Sequence, residues 1–171
     1  MATWFITGAS RGLGLEIARA ALRGGDTVVA AARNPQNLPQ DLQHSGRVLG
    51  VALDVTRSGE ITAAVETAVQ HFGGIDVLVN NAGRGLLGAL EEITDAEARS
   101  LFDLNVFGLI NMTRAVLPVM RAAGAGKIVH IGSRSGFEGS PGSACTAPRS
   151  SQWPASARRS QQSWSRSGSR A

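Results

Sequence analysis

The sequence predicts an α/β fold, a doubly wound parallel sheet with helices on both faces, for most of its 171 residues. Three observations support this prediction. Short β-branched runs alternate with longer stretches rich in Ala, Leu and Glu, as expected for strand–helix repeats. The strand candidates are almost continuously apolar, which is typical of parallel strands covered on both faces. The length suits one domain.

The first five elements follow this alternation in chain order. Residues 3–7 form an apolar strand that runs into a glycine-rich turn, and residues 12–23 form an amphipathic helix directly after it. The β-branched run 27–31 predicts the second strand, and the apolar run 48–53 predicts the third. Residues 59–72 then give a second helical stretch with Ala, Val and Glu.

The last three elements complete five strands and three helices. Residues 77–80 and 127–131 are apolar runs that predict the fourth and fifth strands. Between them, residues 96–123 predict one long helix. Pro118 lies inside this helix and predicts a kink, since proline lacks the N–H that a helix interior requires.

Charge and composition divide the chain at residue 145. Residues 1–144 hold 12 basic and 13 acidic side chains, whereas residues 145–171 hold five arginines, eight serines and no acid. The net charge of +4 therefore belongs to the tail. Because the tail has no Leu, Ile, Val, Met or Phe, we expect it to be disordered. An Arg-Ser nucleic-acid binder is a disfavoured alternative, since the arginines form no motif.

Cysteine usage and the N-terminus favour a cytoplasmic protein. Cys145 is the only cysteine, which fits a reducing compartment, and the chain starts with no basic leader. No run of 18 apolar residues predicts a membrane span. His44 and His71 lack metal-ligand spacing with each other or with Cys145, so we expect no metal. His130, on the fifth strand, is expected to be structural.

A phosphate-binding pattern follows the first strand, where residues 7–14 read TGASRGLG. Gly8 permits a tight turn, Gly12 lets the backbone approach a pyrophosphate, and Gly14 allows close packing of helix on sheet. The helix N-terminus then offers free N–H groups to the phosphates. The pattern predicts cofactor contacts at Gly8, Ser10, Arg11, Gly12, Leu13 and Gly14.

The Gly8-x3-Gly12-x-Gly14 spacing resembles the short-chain dehydrogenase/reductase superfamily, and four further motifs occur in that family's order. They are Leu53-Asp54-Val55-Thr56, Asn80-Asn81-Ala82-Gly83, Asn105 in Leu104-Asn105-Val106-Phe107-Gly108, and Ser133 after the fifth strand. The resemblance implies a Rossmann-type, NAD(P)-binding domain over residues 1–144. Because the family's fold continues with a further helix and two further strands, it also implies that the sheet is incomplete at its C-terminal end. It also implies Asn105 and Ser133 as catalytic residues.

Two of these motifs have a physical interpretation on the cofactor. The Asp54 carboxylate could accept a hydrogen bond from the adenine amino group while the Val55 N–H donates to a ring nitrogen. Helix N-capping is the alternative role for Asp54. Asn81, Ala82 and Gly83 place small residues where the chain passes beneath a nicotinamide ribose.

Arginine placement favours NADP over NAD. An NAD-dependent enzyme usually carries an acid near the end of the second strand, to bind the ribose 2′-hydroxyl. This chain has Arg33 there, and Arg33 with Arg11 could clamp a 2′-phosphate. The alternative is that both arginines are simply solvated.

The resemblance implies hydride transfer between NADPH and a small-molecule carbonyl or alcohol, but the motif Tyr-x-x-x-Lys of the family is missing. The chain has no tyrosine, its only lysine is Lys127, and Thr146 and Ser150 occupy the expected positions. We therefore expect this chain to be inactive. A non-catalytic NADP-binding module and a truncated interaction protein remain alternatives. The family's homo-oligomer is doubtful here, because its interface helix is lost.

A shifted reading frame offers one cause of the change at residue 145. One permitted back-translation of residues 145–160, read from the third base of the Cys145 codon, gives YCASKFAVAGLSEAL. This peptide restores Tyr-x-x-x-Lys at the spacing after Ser133 that the resemblance implies. The codon bases were chosen freely, so the result shows compatibility only.

Overall fold

The computed structural model describes residues 1–89 and 91–132. Within them the chain forms five strands, which are β1 (Thr3–Thr7), β2 (Thr27–Ala32), β3 (Val48–Ala52), β4 (Val77–Asn80) and β5 (Lys127–His130). Each lies within one residue of its sequence-predicted bounds. The boundary at residue 145 and the tail beyond it lie outside the described residues.

All neighbouring strands pair in parallel, in the order β3-β2-β1-β4-β5. β1 therefore lies at the centre, with β2 on one side and β4 on the other. The direction in which the chain adds strands reverses between β1 and β4. Such a switch point opens a crevice at the carboxyl ends of the strands, where ligands bind in sheets of this kind.

The helices cover both faces of the sheet. They are α1 (Gly12–Arg23), α2 (Gln40–Gln43), α3 (Ser58–Phe72), α4 (Asp95–Phe102) and α5 (Leu109–Ala123), with a 3-10 turn at Pro35–Asn37. The apolar patterns that predict α1 and α3 fit the structure closely. The short 3-10 turn and α2 follow no long periodic run, which is why the sequence pattern does not predict them.

Alternate residues of the central strands point into two separate cores. Phe5 joins the core beneath α3 and α5, together with Leu78 and Met112. Ile6, the next residue, joins the core beneath α1, together with Ala18. Both strand residues are fully buried. This two-sided burial explains the continuous apolar runs and confirms the doubly wound fold.

The single helix predicted for residues 96–123 is wrong in one respect. A π-helical segment, Asp103–Gly108, separates α4 from α5. Helix α5 runs through Pro118 to Ala123, so the π-helical segment lies about three to four turns before the proline. π-Turns insert an extra residue into a helix and are frequent at functional sites. This segment contains Asn105.

Candidate cofactor and active site

A cavity of about 680 Å³ opens at the carboxyl ends of the central strands. Its walls come from the turns after β1, β2, β3 and β4 and from the start of the π-helical segment. The following residues predicted to bind the cofactor line it: Gly8, Ser10, Arg11, Gly12, Leu13, Arg33, Asp54, Val55, Asn81, Ala82 and Gly83. The predicted residues therefore converge from four separate loops.

The glycine turn requires glycine at the positions where the pattern places it. Gly8 and Gly12 have φ values of 70° and 59°, in the left-handed region that other residues enter at a cost. Gly14 does not line the cavity but lies behind the turn. A Cβ there would meet Asn81 Nδ2 and would lie 2.5 Å from the Gly8 carbonyl oxygen. Gly14 thus lets α1 approach the turn closely.

The N-terminus of α1 faces the cavity with unsatisfied donors. Arg11 precedes the helix in extended conformation, and no side chain caps its first N–H groups. These groups and the helix dipole together favour an anion such as a phosphate. Leu13 is 56% exposed on this first turn and lines the cavity.

Thr7 joins the glycine turn to the loop after β4. Its Oγ1 accepts hydrogen bonds from the Asn81 N–H at 3.0 Å and from the Ala82 N–H at 2.9 Å. The same hydroxyl donates to the Val79 carbonyl at 3.3 Å. Thr7 is 1% exposed, so these bonds are shielded from water. The glycine pattern begins at Thr7, but nothing local in the sequence signals this role.

Asn81 completes the same junction from the other side. Its Nδ2 donates to the Thr7 carbonyl at 2.9 Å and to the Gly8 carbonyl at 3.2 Å. The side chain therefore supports the glycine turn, and Asn81 lines the cavity together with Ala82 and Gly83.

Asp54 is fixed in a turn after β3. Its Oδ1 accepts from the Thr56 N–H at 3.0 Å and from Thr56 Oγ1 at 2.7 Å. These two hydrogen bonds hold the pKa of Asp54 below its ordinary value, and the charges of Arg57 and Arg33 lower it further. The alternative role of Asp54 as a helix N-cap is wrong, because α3 begins at Ser58 and Arg57 holds its N-cap position. Asp54 is thus an ionised acceptor at the cavity wall.

Asn105 reaches the loop after β4 from the π-helical segment. Its Oδ1 accepts from the Arg84 N–H at 3.0 Å, and its Nδ2 donates to the Arg84 carbonyl at 2.8 Å. A Cβ on Gly83 would lie 3.1 Å from Asn105 Oδ1, so this approach also needs a small residue. Asn105 is beside the cavity rather than in its lining. Ser133 lies outside the described residues.

Asn80 and His130 form a polar pair between β4 and β5. Asn80 is 5% exposed, and its Nδ2 donates to Thr113 Oγ1 at 3.1 Å and to His130 Nδ1 at 3.2 Å. Desolvation lowers the pKa of His130. His130 has no place in the cavity lining.

The charge of the cavity favours an extended anionic ligand. Arg11, Arg33 and Arg84 contribute cations to the lining, and Asp54 is the acid among the described lining residues. In the part of the chain that the structure describes, no cluster of three His, Cys, Asp or Glu side chains offers a metal site. No helix among those described is long and apolar enough to cross a membrane.

Comparison with known proteins adds independent evidence. The family model described as short chain dehydrogenase matches residues 2–146. The oxidoreductase BOA17 of Botryotinia fuckeliana is 42% identical over 152 residues, which are 88% of this chain and 55% of that protein. The 3-ketodihydrosphingosine reductase of Bacteroides thetaiotaomicron is 41% identical over 136 residues, 80% of this chain and 48% of that protein.

Solved structures show the same fold. A short-chain dehydrogenase from Streptomyces avermitilis superposes with a TM-score of 0.80 at 43% identity, covering 85% of this chain and 55% of that one. An actinorhodin polyketide ketoreductase variant with NADPH gives a TM-score of 0.79 at 36% identity, covering 84% and 57%. The chain therefore spans about half the length of the relatives it matches.

Proposed function

The chain belongs to the short-chain dehydrogenase family, and on this premise we propose that its cavity binds NADP(H) for hydride transfer between NADPH and the carbon of a carbonyl or alcohol. The observation that carries the proposal is the convergence of the glycine turn, two arginines and an ionised aspartate on one cavity at the sheet's switch point. A relative of this fold is known with NADPH.

The phosphate end of the cofactor fits the turn after β1. The free N–H groups of α1 would bind the pyrophosphate, and the left-handed conformations of Gly8 and Gly12, together with their lack of a side chain, allow its close approach. Arg33 follows β2 and Arg11 lies in the glycine turn, so the two guanidinium groups would bind a 2′-phosphate. No acid stands at the end of β2 to bind a 2′-hydroxyl, which supports NADP over NAD.

The adenine end fits the turn after β3. Asp54 is held as a carboxylate by Thr56, and it would accept from the adenine amino group. The Val55 N–H would donate to a ring nitrogen. At the other end of the cavity, Asn81, Ala82 and Gly83 leave room for the nicotinamide ribose.

The reacting end determines what this chain can catalyse. When bound, NADPH supplies the hydride. Asn105 would hold the loop that borders the substrate, and Ser133 would orient the substrate carbonyl. The chain has no tyrosine to give a proton to the substrate oxygen, and Lys127 lies on β5, before Ser133. We therefore expect very low or no turnover from the 171-residue chain.

Two other functions remain possible for the same geometry. A non-catalytic nucleotide-binding module would bind NADPH without turnover, and an interaction protein would fold without binding it. The Arg-Ser tail as a disordered segment, a cytoplasmic location, a small-molecule partner and the doubtful homo-oligomer stay predictions. A nucleic-acid partner is not expected.

Fluorescence titration tests the proposal. NADPH should bind the chain, with NADH at least tenfold weaker, and Arg33→Ala should remove most of that difference because it removes a charge-assisted contact. Arg23→Ala, an exposed arginine outside the cavity, is the matched control. Equal affinity for the two cofactors contradicts the NADP preference. Reduction of a carbonyl panel at ordinary enzyme rates contradicts the predicted inactivity.

A further inference from the structure

Arg84 is a cation at the cavity to which the proposed cofactor contacts assign no role. It directly follows Asn81–Gly83, it is exposed, and it lines the cavity. None of the four ion pairs among the described residues includes it. Glu97 bonds Thr94, which is the main reason that the pKa of Glu97 is lowered, and the charge of Arg84 lowers that pKa further without a direct ion pair. Among the described residues, no carboxylate therefore contacts the Arg84 guanidinium directly.

The structure holds Arg84 in place at both its backbone and its side chain. The Asn105 side chain accepts from the Arg84 N–H at 3.0 Å and donates to the Arg84 carbonyl oxygen at 2.8 Å. The Nη2 of Arg84 donates to Ser100 Oγ on α4 at 2.9 Å, and Ser100 also lines the cavity. A guanidinium carries five N–H donors, and this bond uses one of them. Prior ordering of this kind lowers the entropy cost of binding an anion.

Sheet order places Arg84 at the opposite end of the cavity from Arg33. Arg33 follows β2, whereas Arg84 belongs to the loop after β4, and β1 lies between these strands. A dinucleotide that crosses the glycine turn and places its 2′-phosphate at Arg33 therefore has its reacting end beside β4. Arg84 therefore lies on the same side of the cavity as the reacting end of such a dinucleotide, away from the phosphate at Arg33.

We propose that Arg84 determines substrate specificity by binding an anionic group, a carboxylate or a phosphate, on the carbonyl or alcohol substrate. The assignment rests on the proposed function, because it uses the same cavity with NADP(H) bound. It adds a substrate class, anionic ketones or alcohols, for which the guanidinium supplies bidentate recognition.

Two matched ligand pairs test the assignment on the full 171-residue chain saturated with NADP⁺. Acetoacetate is compared with its uncharged methyl ester, and dihydroxyacetone phosphate with dihydroxyacetone, by ligand-observed NMR titration. The charged member of one pair should bind roughly tenfold more tightly, as expected for a charge-assisted contact. The pair that shows the preference identifies the anion as carboxylate or phosphate.

Three variants separate the role of Arg84 from the rest of the site. Arg84→Gln should abolish the preference for the charged ligand, Arg84→Lys should retain part of it, and NADPH affinity should stay within about twofold in both. Arg121→Gln, an exposed arginine at the end of α5, should behave as the wild type. The thermal unfolding midpoint of each variant reports that it is folded.

Each contrary outcome has a distinct meaning. Equal binding within both pairs, or a preference that survives Arg84→Gln, overturns the assignment and leaves the proposed function intact. A tenfold loss of NADPH affinity in Arg84→Gln assigns the residue to the cofactor and also overturns it. Failure of the unmodified chain to bind NADPH refutes the proposed function, and the assignment falls with it.

Discussion

Single side chains hold the cofactor loops together over long sequence distances. Thr7 and Asn81 lie 74 residues apart and exchange hydrogen bonds through both backbone and side-chain atoms. Asn105 joins Arg84 across 21 residues in the same manner. The chemistry of the site therefore depends on residues that support the cavity as well as on those that line it.

Thr7→Val tests this support with little change in shape. The variant removes the acceptor of the Asn81 and Ala82 N–H groups, so we expect the free energy of unfolding to fall by about 1–3 kcal/mol. Urea denaturation measures the change. Thr67→Val, whose hydroxyl bonds only a helix carbonyl at the surface, is the control and should change stability little. A loss no larger than the control's would refute the role of Thr7.

His130 predicts a pH dependence of stability. Its Nδ1 accepts a hydrogen bond from Asn80, which requires the neutral ring, and desolvation holds the folded-state pKa below the ordinary value of 6.5. The unfolded chain therefore binds the proton more readily. This contribution is fully present above pH 6.5 and is lost as the pH falls through the folded-state pKa.

Thermal unfolding between pH 7.5 and pH 5.5 checks this prediction. The midpoint should fall over this range, and His130→Gln should reduce that fall because the amide does not titrate. His44→Gln, on an exposed residue outside the Asn80 contact, serves as the control. An identical pH profile for wild type and His130→Gln would falsify the assignment.

At the scale of elements, glycines set how closely segments approach one another. Gly14 brings α1 against the glycine turn, and Gly108 brings the π-helical segment against Val55. The two contacts position the glycine turn and the π-helical segment, respectively. Both depend on the absence of a Cβ rather than on an unusual φ, since neither residue has positive φ.

Gly14→Ala is expected to abolish measurable NADPH binding. The new methyl group would lie 2.5 Å from the Gly8 carbonyl oxygen, so either α1 or the turn must move away from the phosphate position. Fluorescence titration measures the loss. Gly59→Ala, where a Cβ meets open space on α3, should bind NADPH normally and be slightly more stable. Near-normal binding by Gly14→Ala would contradict the packing role.

Gly108→Ala should destabilise the fold by about 1–3 kcal/mol, the usual range for overpacking. A Cβ at this position would lie 2.7 Å from Val55 Cγ2 and 3.2 Å from the Val55 carbonyl oxygen. Because the side-chain clash is relieved by truncation, Val55→Ala should recover part of the loss when the two changes are combined. Urea denaturation of the two single variants and the double variant measures this coupling. Strict additivity would argue against a direct contact.

At the scale of the whole molecule, the chain spans about half the length of the relatives it matches. The family match ends at residue 146, one residue after the change in composition. The proposed lack of turnover rests on the missing tyrosine.

Resequencing the coding DNA across codons 140 to 155 tests the origin of the tail. A single added or missing base near codons 144 to 145 should restore YCASK in register with Ser133. A chain expressed from the corrected frame should then reduce carbonyls with NADPH. An uninterrupted frame whose codons cannot encode that peptide would exclude the shift. The tail would then be a genuine part of the product.

Local patterns carry most of the fold and part of the site. The five strands and the helices α1 and α3 are predictable because apolar periodicity is encoded within each segment. The glycine spacing likewise gives Gly8, Gly12 and Gly14, since strand, turn and helix are contiguous there. The π-helical segment is not predictable in this way, because its contacts, Gly108 with Val55 and Asn105 with Arg84, join residues that are distant in sequence.

Local periodicity and motifs of fixed spacing are sufficient to predict the fold class, the family and the residue types that line the cavity. Three-dimensional contacts were needed to show that Thr7 joins the loops after β1 and β4, that Asp54 is fixed by Thr56 rather than capping a helix, and that Arg84 is held at the β4 side of the cavity. The physical reason is that hydrogen bonds and close approaches between loops form where the parallel strands end together. Which loops meet there depends on the strand order, and no single segment of the sequence determines that order.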